Sequence, residues 1–174
     1  MFLKLPAYFV WIMNIGGLSL LPLLISFVFI QLPDRWFHQD QGLLRLLPME
    51  RNGKIYSRIL RINRWKGWLP DGGAWMKGGF AKKKLQTNTL SYLQQFTKET
   101  RRGEWAHWCM LLMTPLFILW NEGWGIIAVF AYAFFANLPC ILVQRHNRAR
   151  FSRLMSRRDE ICYSKEMKLV SLEE

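Results

Sequence analysis

The chain has 174 residues, enough for one domain, and carries 24 Lys and Arg against 12 Asp and Glu, a net charge of +12. It is 51% hydrophobic and 15% aromatic, with 9 Trp and 12 Phe. Such a basic balance fits either a nucleic-acid binder or a membrane protein with a positive inner side, and the positions of the charges point to the membrane and away from nucleic acid.

From Leu5 to Pro33 there is no charged residue. About 20 apolar residues cross a hydrocarbon core of about 30 Å, so residues 5–32 are read as a first transmembrane helix. Lys4 precedes this run as it would in a signal peptide, but the run exceeds the length of such an apolar region. Residues 34–104 form a basic cytosolic and interfacial region with 15 Lys and Arg against 6 Asp and Glu. Within it Asn52-Gly53 marks a turn. Ile55, Ile59, Ile62 and Leu69 then recur at helical spacing with Arg58, Arg61 and Arg64 interleaved. This pattern predicts an amphipathic helix lying in the headgroup layer, or an ordinary amphipathic helix packed on protein. Pro70-Asp71-Gly72-Gly73 is a turn, since Pro sets φ and Gly permits positive φ. Thr89 to Lys98 reads as a polar helix leading into the second span.

That second span is residues 105–120, uncharged and flanked by Trp105 and Trp120; the third is residues 124–143. Asn121, Glu122 and Gly123 form the turn between them. Residues 144–174 are a second basic cytosolic segment with 8 Lys and Arg against 5 Asp and Glu, expected to be loosely ordered beyond Arg158. The whole, residues 1–174, is read as a single all-α membrane domain with about three transmembrane helices plus interfacial helices. Of the 24 basic residues, 23 then lie on one side, which predicts a multi-pass cell-membrane protein with its N-terminus outside and C-terminus cytosolic. The 3 Cys form no disulfide or metal pattern.

The chemistry-bearing residues fall at the inner ends of the spans. Glu104 and His107 share a helix face, where a carboxylate beside a buried imidazole makes a base near neutral pH; the plainer reading is anchoring at the headgroups beside Trp105 and Trp108. Beyond the third span, Val143-Gln144-Arg145-His146-Asn147-Arg148-Ala149-Arg150 reads first as a stop-transfer cluster for anionic lipid. Gln144 and Asn147 add amides suited to a sugar or carbonyl, and Asn137 inside the third span is costly unless paired. Asp71, in its Gly-rich turn, is a second base or a turn former. No metal, nucleotide or nucleophile-elbow motif is present.

Several blocks together resemble the glycosyl-4,4'-diaponeurosporenoate acyltransferases of staphyloxanthin-type carotenoid synthesis. They are Pro33-Asp34-Arg35-Trp36-Phe37, Arg64-Trp65-Lys66 with Asp71-Gly72, Glu99-Thr100 with Arg102, and Glu104 with His107-Trp108. Ala136-Asn137 with Pro139, Val143-Gln144-Arg145, Asn147-Arg148 and Arg150 complete the set. His146 stands where the resemblance leads one to expect an aromatic residue. The resemblance implies transfer of a fatty acyl group from a thioester, acyl-CoA or acyl-carrier protein, to a sugar hydroxyl of a lipophilic glycosylated C30 carotenoid acid, with no cofactor. In that scheme His107 is the base, oriented by Glu104 or Asp71, and Arg145 or Arg148 stabilises the oxyanion. Lys83 with its neighbours Lys82 and Lys84, and Arg101-Arg102, hold donor phosphates, while Gln144, Asn147 and Asn137 meet the substrate. A different glycolipid or polar-lipid acceptor is the nearest alternative, and a non-enzymatic membrane subunit recruiting partners through its basic surface is the other.

Overall fold

The computed structural model describes Leu3 and residues 5–51, 53–69, 79–80, 87 and 89–173. Among these residues the secondary structure is entirely helical. Three long helices organise it: α1 (Ala7–Gln31), α2 (Leu90–Met113) and α3 (Trp124–Glu173).

α1 is 25 residues, uncharged and rich in Leu, Ile, Val and aromatic side chains. It ends because Leu32, which precedes Pro33, is driven to extended backbone. It has no buried residue, and Trp11, Ile15 and Leu20 are each about two-thirds exposed. An apolar surface of this extent has no covering in water. Its internal amide, Asn14, is paired: the Asn14 and Asn121 amides donate to each other's oxygens at 2.8 Å, and Trp120 Nε1 donates to Asn14 Oδ1 at 2.8 Å. Close packing against Phe117 occurs at Gly17, where a Cβ would meet that ring at 2.9 Å.

α2 begins after Thr89 and runs without a break into the apolar segment, so the polar helix and the start of the second span are one element. It gives way to a 3₁₀ helix at Thr114–Leu119, with Pro115 inside it. The tighter, longer-pitched 3₁₀ winding rises about 2 Å per residue against 1.5 Å, so residues 105–119 reach about 25 Å. The Asn121-Glu122-Gly123 turn, with Gly123 at φ +49°, returns the chain into α3.

α3 has 50 residues and is about 75 Å long. It does not stop after the third span or at Arg158, as its charged tail led one to expect, because no Gly or Pro follows Pro139 to break it. Val129, Ala133, Asn137, Ile141, Arg145 and Arg148 are all buried and recur every three or four residues, the row that packs on antiparallel α2. Further along, Phe151 meets Phe96 edge-on with ring centroids 4.6 Å apart.

Among the described residues two helical stretches are long and apolar enough to cross a membrane: Ala7–Gln31 and Trp124–Cys162. α2 as a whole is not, because Lys98, Glu99, Arg101, Arg102 and Glu104 precede its apolar half.

The expected single amphipathic helix over residues 55–69 is broken. A π turn at Ile55–Ile59 is followed by Arg61 at φ +48°, then a short α turn at Ile62–Trp65 and a 3₁₀ turn at Lys66–Trp68. Tyr56 and Ile62 turn inward against Ala149 of α3, while Ile59 and Trp68 remain exposed. Folding onto α3 demands a bend that one straight helix cannot make. Gly53 is buried at φ +59°, a left-handed conformation that favours glycine, with the Arg153 guanidinium against it.

Candidate functional site

The middle turns of α2 and α3 carry the polar residues, and the loop after α1 closes over them. Arg145 of α3 directs all of its nitrogens inward: Nε and Nη2 donate to Glu50 at 3.0 and 2.7 Å, and Nη1 donates to Glu104 Oε1 at 2.7 Å. Nη1 and Nη2 also reach the Leu43 and Arg45 carbonyls, both at 2.9 Å. Arg148, one turn on and fully buried, donates Nη2 to the Leu44 carbonyl at 2.6 Å. Its Nη1 lies 2.7 Å from Glu104 Oε2 and its Nε 3.1 Å from Asp40 Oδ1, ion pairs whose angles fall outside hydrogen-bond geometry. Arg101 Nε donates to Asp40 at 2.6 Å. Three consecutive carbonyls, Leu43 to Arg45, therefore cap two arginines.

Asp40, Glu50 and Glu104 balance Arg101, Arg145 and Arg148 in this cluster. A neighbouring group balances Asp34 and Glu99 against Lys98 and Arg102, with the Arg102 guanidinium 4.9 Å over the Phe37 ring. Charges this deep persist only when paired and hydrogen-bonded. Burial raises the Glu50 carboxyl, but hydrogen bonds from Arg145, the Tyr56 hydroxyl and the Leu47 N–H outweigh it and hold Glu50 below the ordinary carboxylate range. Burial and the Glu50 carboxylate push the Tyr56 hydroxyl well above its usual value.

His107 lies one turn further into the apolar layer. Its Nδ1 is 2.9 Å from Asn137 Oδ1. Asn137 Nδ2 donates to the Ala133 carbonyl at 2.8 Å, which fixes the amide so that Oδ1 is the acceptor. In that pairing the imidazole donates from Nδ1. His107 thus pairs with Asn137 of α3, whereas Glu104 gives its carboxylate to the two arginines and accepts from Trp108 Nε1 at 3.3 Å.

Of the other sequence candidates, Asn147 is buried, and Gln144 is half-buried with its Oε1 sealed and lacking a donor among the described residues. Arg102 is occupied by Asp34, Glu99 and the Leu32 carbonyl. Asp71 and Lys83, with Lys82 and Lys84, lie outside the described residues. Asp34, Asp40 and Glu50 are the members that sequence reasoning passed over as site residues. Their signal was present: in a stretch of 15 cations, each of the 6 acids is a ready partner.

On the other side of α2 a cleft of about 720 Å³ is lined by Phe29, Arg35, Trp36, His38, Gln41 and Trp105, among others. Trp105 is two residues from His107, about 200° around the helix, so this cleft and His107 open on opposite faces.

These features define a protein, all-helical among the described residues, whose long helices converge on a charge-balanced polar centre, with the His107–Asn137 pair beside it. The glycosyl-4,4'-diaponeurosporenoate acyltransferase family matches residues 33–157, and the chain belongs to that family. Proteins of that name from Staphylococcus aureus strains MRSA252, bovine RF122 / ET3-1 and N315 are each 29% identical over 127 residues, covering 72% of this chain and 75% of theirs. No solved structure gives a significant match. Membership of an acyltransferase family makes the chain an enzyme and sets aside the partner-recruiting reading.

Proposed function

We propose that this protein is a multi-pass membrane acyltransferase that moves a fatty acyl group from a thioester to a sugar hydroxyl of a glycosylated C30 carotenoid acid. The observation that carries the reading is the family match across residues 33–157, which spans every element of the polar centre. Three uncharged segments support it physically, residues 5–32, 105–120 and 124–143, with the basic residues gathered at one end of them. That distribution puts the N-terminus outside and the C-terminus in the cytosol. The thioester donor (coenzyme A or a carrier protein) and the membrane-held acceptor then meet at the inner face.

In the reaction, His107 Nε2 takes the proton of the sugar hydroxyl as its oxygen attacks the thioester carbonyl. The C–O bond forms, a tetrahedral oxyanion develops and collapses, and the C–S bond breaks. The leaving thiolate takes the proton back from the imidazolium and departs as a thiol. Asn137 positions the ring. Gln144 and Asn147, three apart on α3, are the amides assigned to the sugar. Arg145 and Arg148 act as positioning residues, since their donors are committed to Glu104, Glu50 and the loop carbonyls.

A second reading rests on the 720 Å³ cleft, where His38 beside Trp36 and Gln41 would serve as the base for a headgroup entering from the other face. The test is reconstitution of the protein in vesicles with a glycosylated carotenoid acid and a long-chain acyl-CoA, with products read by mass spectrometry. A product heavier by one acyl group, lost in His107→Ala and kept in His38→Ala, is expected. The reverse pattern moves the chemistry to the cleft. Acylation only when a membrane glycolipid replaces the carotenoid changes the acceptor.

A further inference from the structure

An apolar groove of about 530 Å³ runs between α3 and the end of α2, lined by Leu111, Thr114, Ile126, Phe130, Ala131 and Ala133, among others. On α3, Ile126, Phe130, Ala133 and Asn137 form one row at spacings of four, three and four, so the groove leads to Asn137. On α2, Leu111 is one turn beyond His107 on the same face. The His107–Asn137 pair therefore lies one turn past the lining residues Leu111 and Ala133, on the same helix faces.

We propose that this groove holds the fatty acyl chain of the donor with its thioester carbonyl at His107, an assignment that rests on the acyltransferase reading. Length selects the occupant. Ile126 is eleven residues from Asn137, about 16 Å along the helix. An extended chain advances about 1.2 Å per bond, so the groove takes roughly a dozen methylenes. A C30 polyene is too long and too stiff for it. Chemistry agrees: the lining has Leu, Ile, Phe and Ala side chains, and its one polar group, the Thr114 hydroxyl, is turned to the Met110 carbonyl at 3.1 Å. Small residues, Ala131 and Ala133, leave the space that larger ones at those positions would fill.

A groove of fixed length is a ruler, and the experiment reads it as one. Ala131→Trp obstructs the groove about halfway, at an exposed position that tolerates bulk, and Ile126→Trp closes its far end. Vesicle-reconstituted protein is assayed with octanoyl-, lauroyl- and palmitoyl-CoA. The palmitoyl-to-octanoyl ratio of kcat/KM is expected to fall by about tenfold or more in Ala131→Trp and by less in Ile126→Trp, with octanoyl transfer retained. A uniform loss across all lengths, or an unchanged profile in both variants, overturns the proposal. So does a change confined to the acceptor KM, which would place the polyene in the groove. His107→Ala is run alongside. If it stays active while the chain-length profile of Ala131→Trp shifts, the base assignment fails and the groove stands. If it is inactive and that profile does not shift, the groove alone fails.

Discussion

Asn137 Oδ1 lies 2.9 Å from His107 Nδ1, and the same amide anchors its nitrogen on the Ala133 carbonyl at 2.8 Å. A side chain that is costly inside an apolar helix is thereby paired at both its oxygen and its nitrogen, and it ties α3 to a histidine on the neighbouring helix. Asn137→Leu is expected to lower kcat by roughly ten- to a hundredfold with little change in KM, because the base loses its orientation and the substrate loses no contact. Asn137→Asp is expected to stay active with the acid limb of its pH–rate profile moved to higher pH, since a carboxylate stabilises the imidazolium. Equal loss in both variants, with no shift of the limb, would give Asn137 a packing role only.

Glu104 is fully buried between Arg145 and Arg148. Glu104→Gln leaves two guanidinium groups short of a counter-charge and is expected to destabilise the protein by about 3–5 kcal/mol. Adding Arg148→Met to that variant restores part of the loss, because one stranded charge is gone. Thermal unfolding in detergent measures both. A Glu104→Gln protein as stable as wild type would show that water already reaches the cluster.

Glu50 has a folded-state pKa below its unfolded value of 4.5. Its contribution to stability is therefore present above about pH 4.5 and disappears as the pH falls through the folded value. Melting temperature is expected to drop on that acid limb, and Glu50→Gln is expected to flatten it while lowering stability at neutral pH. A limb unchanged by the substitution would move the acid sensitivity to another carboxylate, Asp34 first, which hydrogen bonds from Lys98 and Arg102 also hold low.

His146 is buried edge-on to Tyr56, 5.9 Å between ring centres, with neither ring nitrogen hydrogen-bonded among the described residues. Burial, then Lys66, Arg150 and Arg153, push its pKa down to about 4. The unfolded chain takes up a proton that the folded one refuses, so this histidine costs stability progressively from about pH 6.5 down to about 4. His146→Phe is expected to raise stability by about 1–2 kcal/mol at neutral pH, by removing two unsatisfied nitrogens, and to abolish that segment of the pH dependence. A destabilised, still pH-dependent variant would overturn this.

The three apolar segments, the charge asymmetry and the clustering of polar residues beside those segments are legible in the linear chain, because hydrophobic length and charge position are properties of consecutive residues. Arg145, Arg148, Glu104, His107 and Asn137 are recognisable there as residues too costly to bury without purpose. The partners are not legible. Sequence spacing pairs Glu104 with His107, three apart on one helix, yet antiparallel packing of α2 on α3 offers each a better partner across the seam: guanidinium groups for the carboxylate, an amide for the imidazole. Glu50 and Asp40 look like ordinary loop acids until the chain after α1 folds back and lays the carbonyls of Leu43 to Arg45 over the same arginines. The broken course of residues 55–69 has the same origin, since helical periodicity says which side chains are apolar and only the surface of α3 decides how the backbone must bend to bury them. Hydrophobic segmentation acts along the chain, whereas the pairing of buried charges depends on which helix lies opposite, and that is set by the tertiary structure alone.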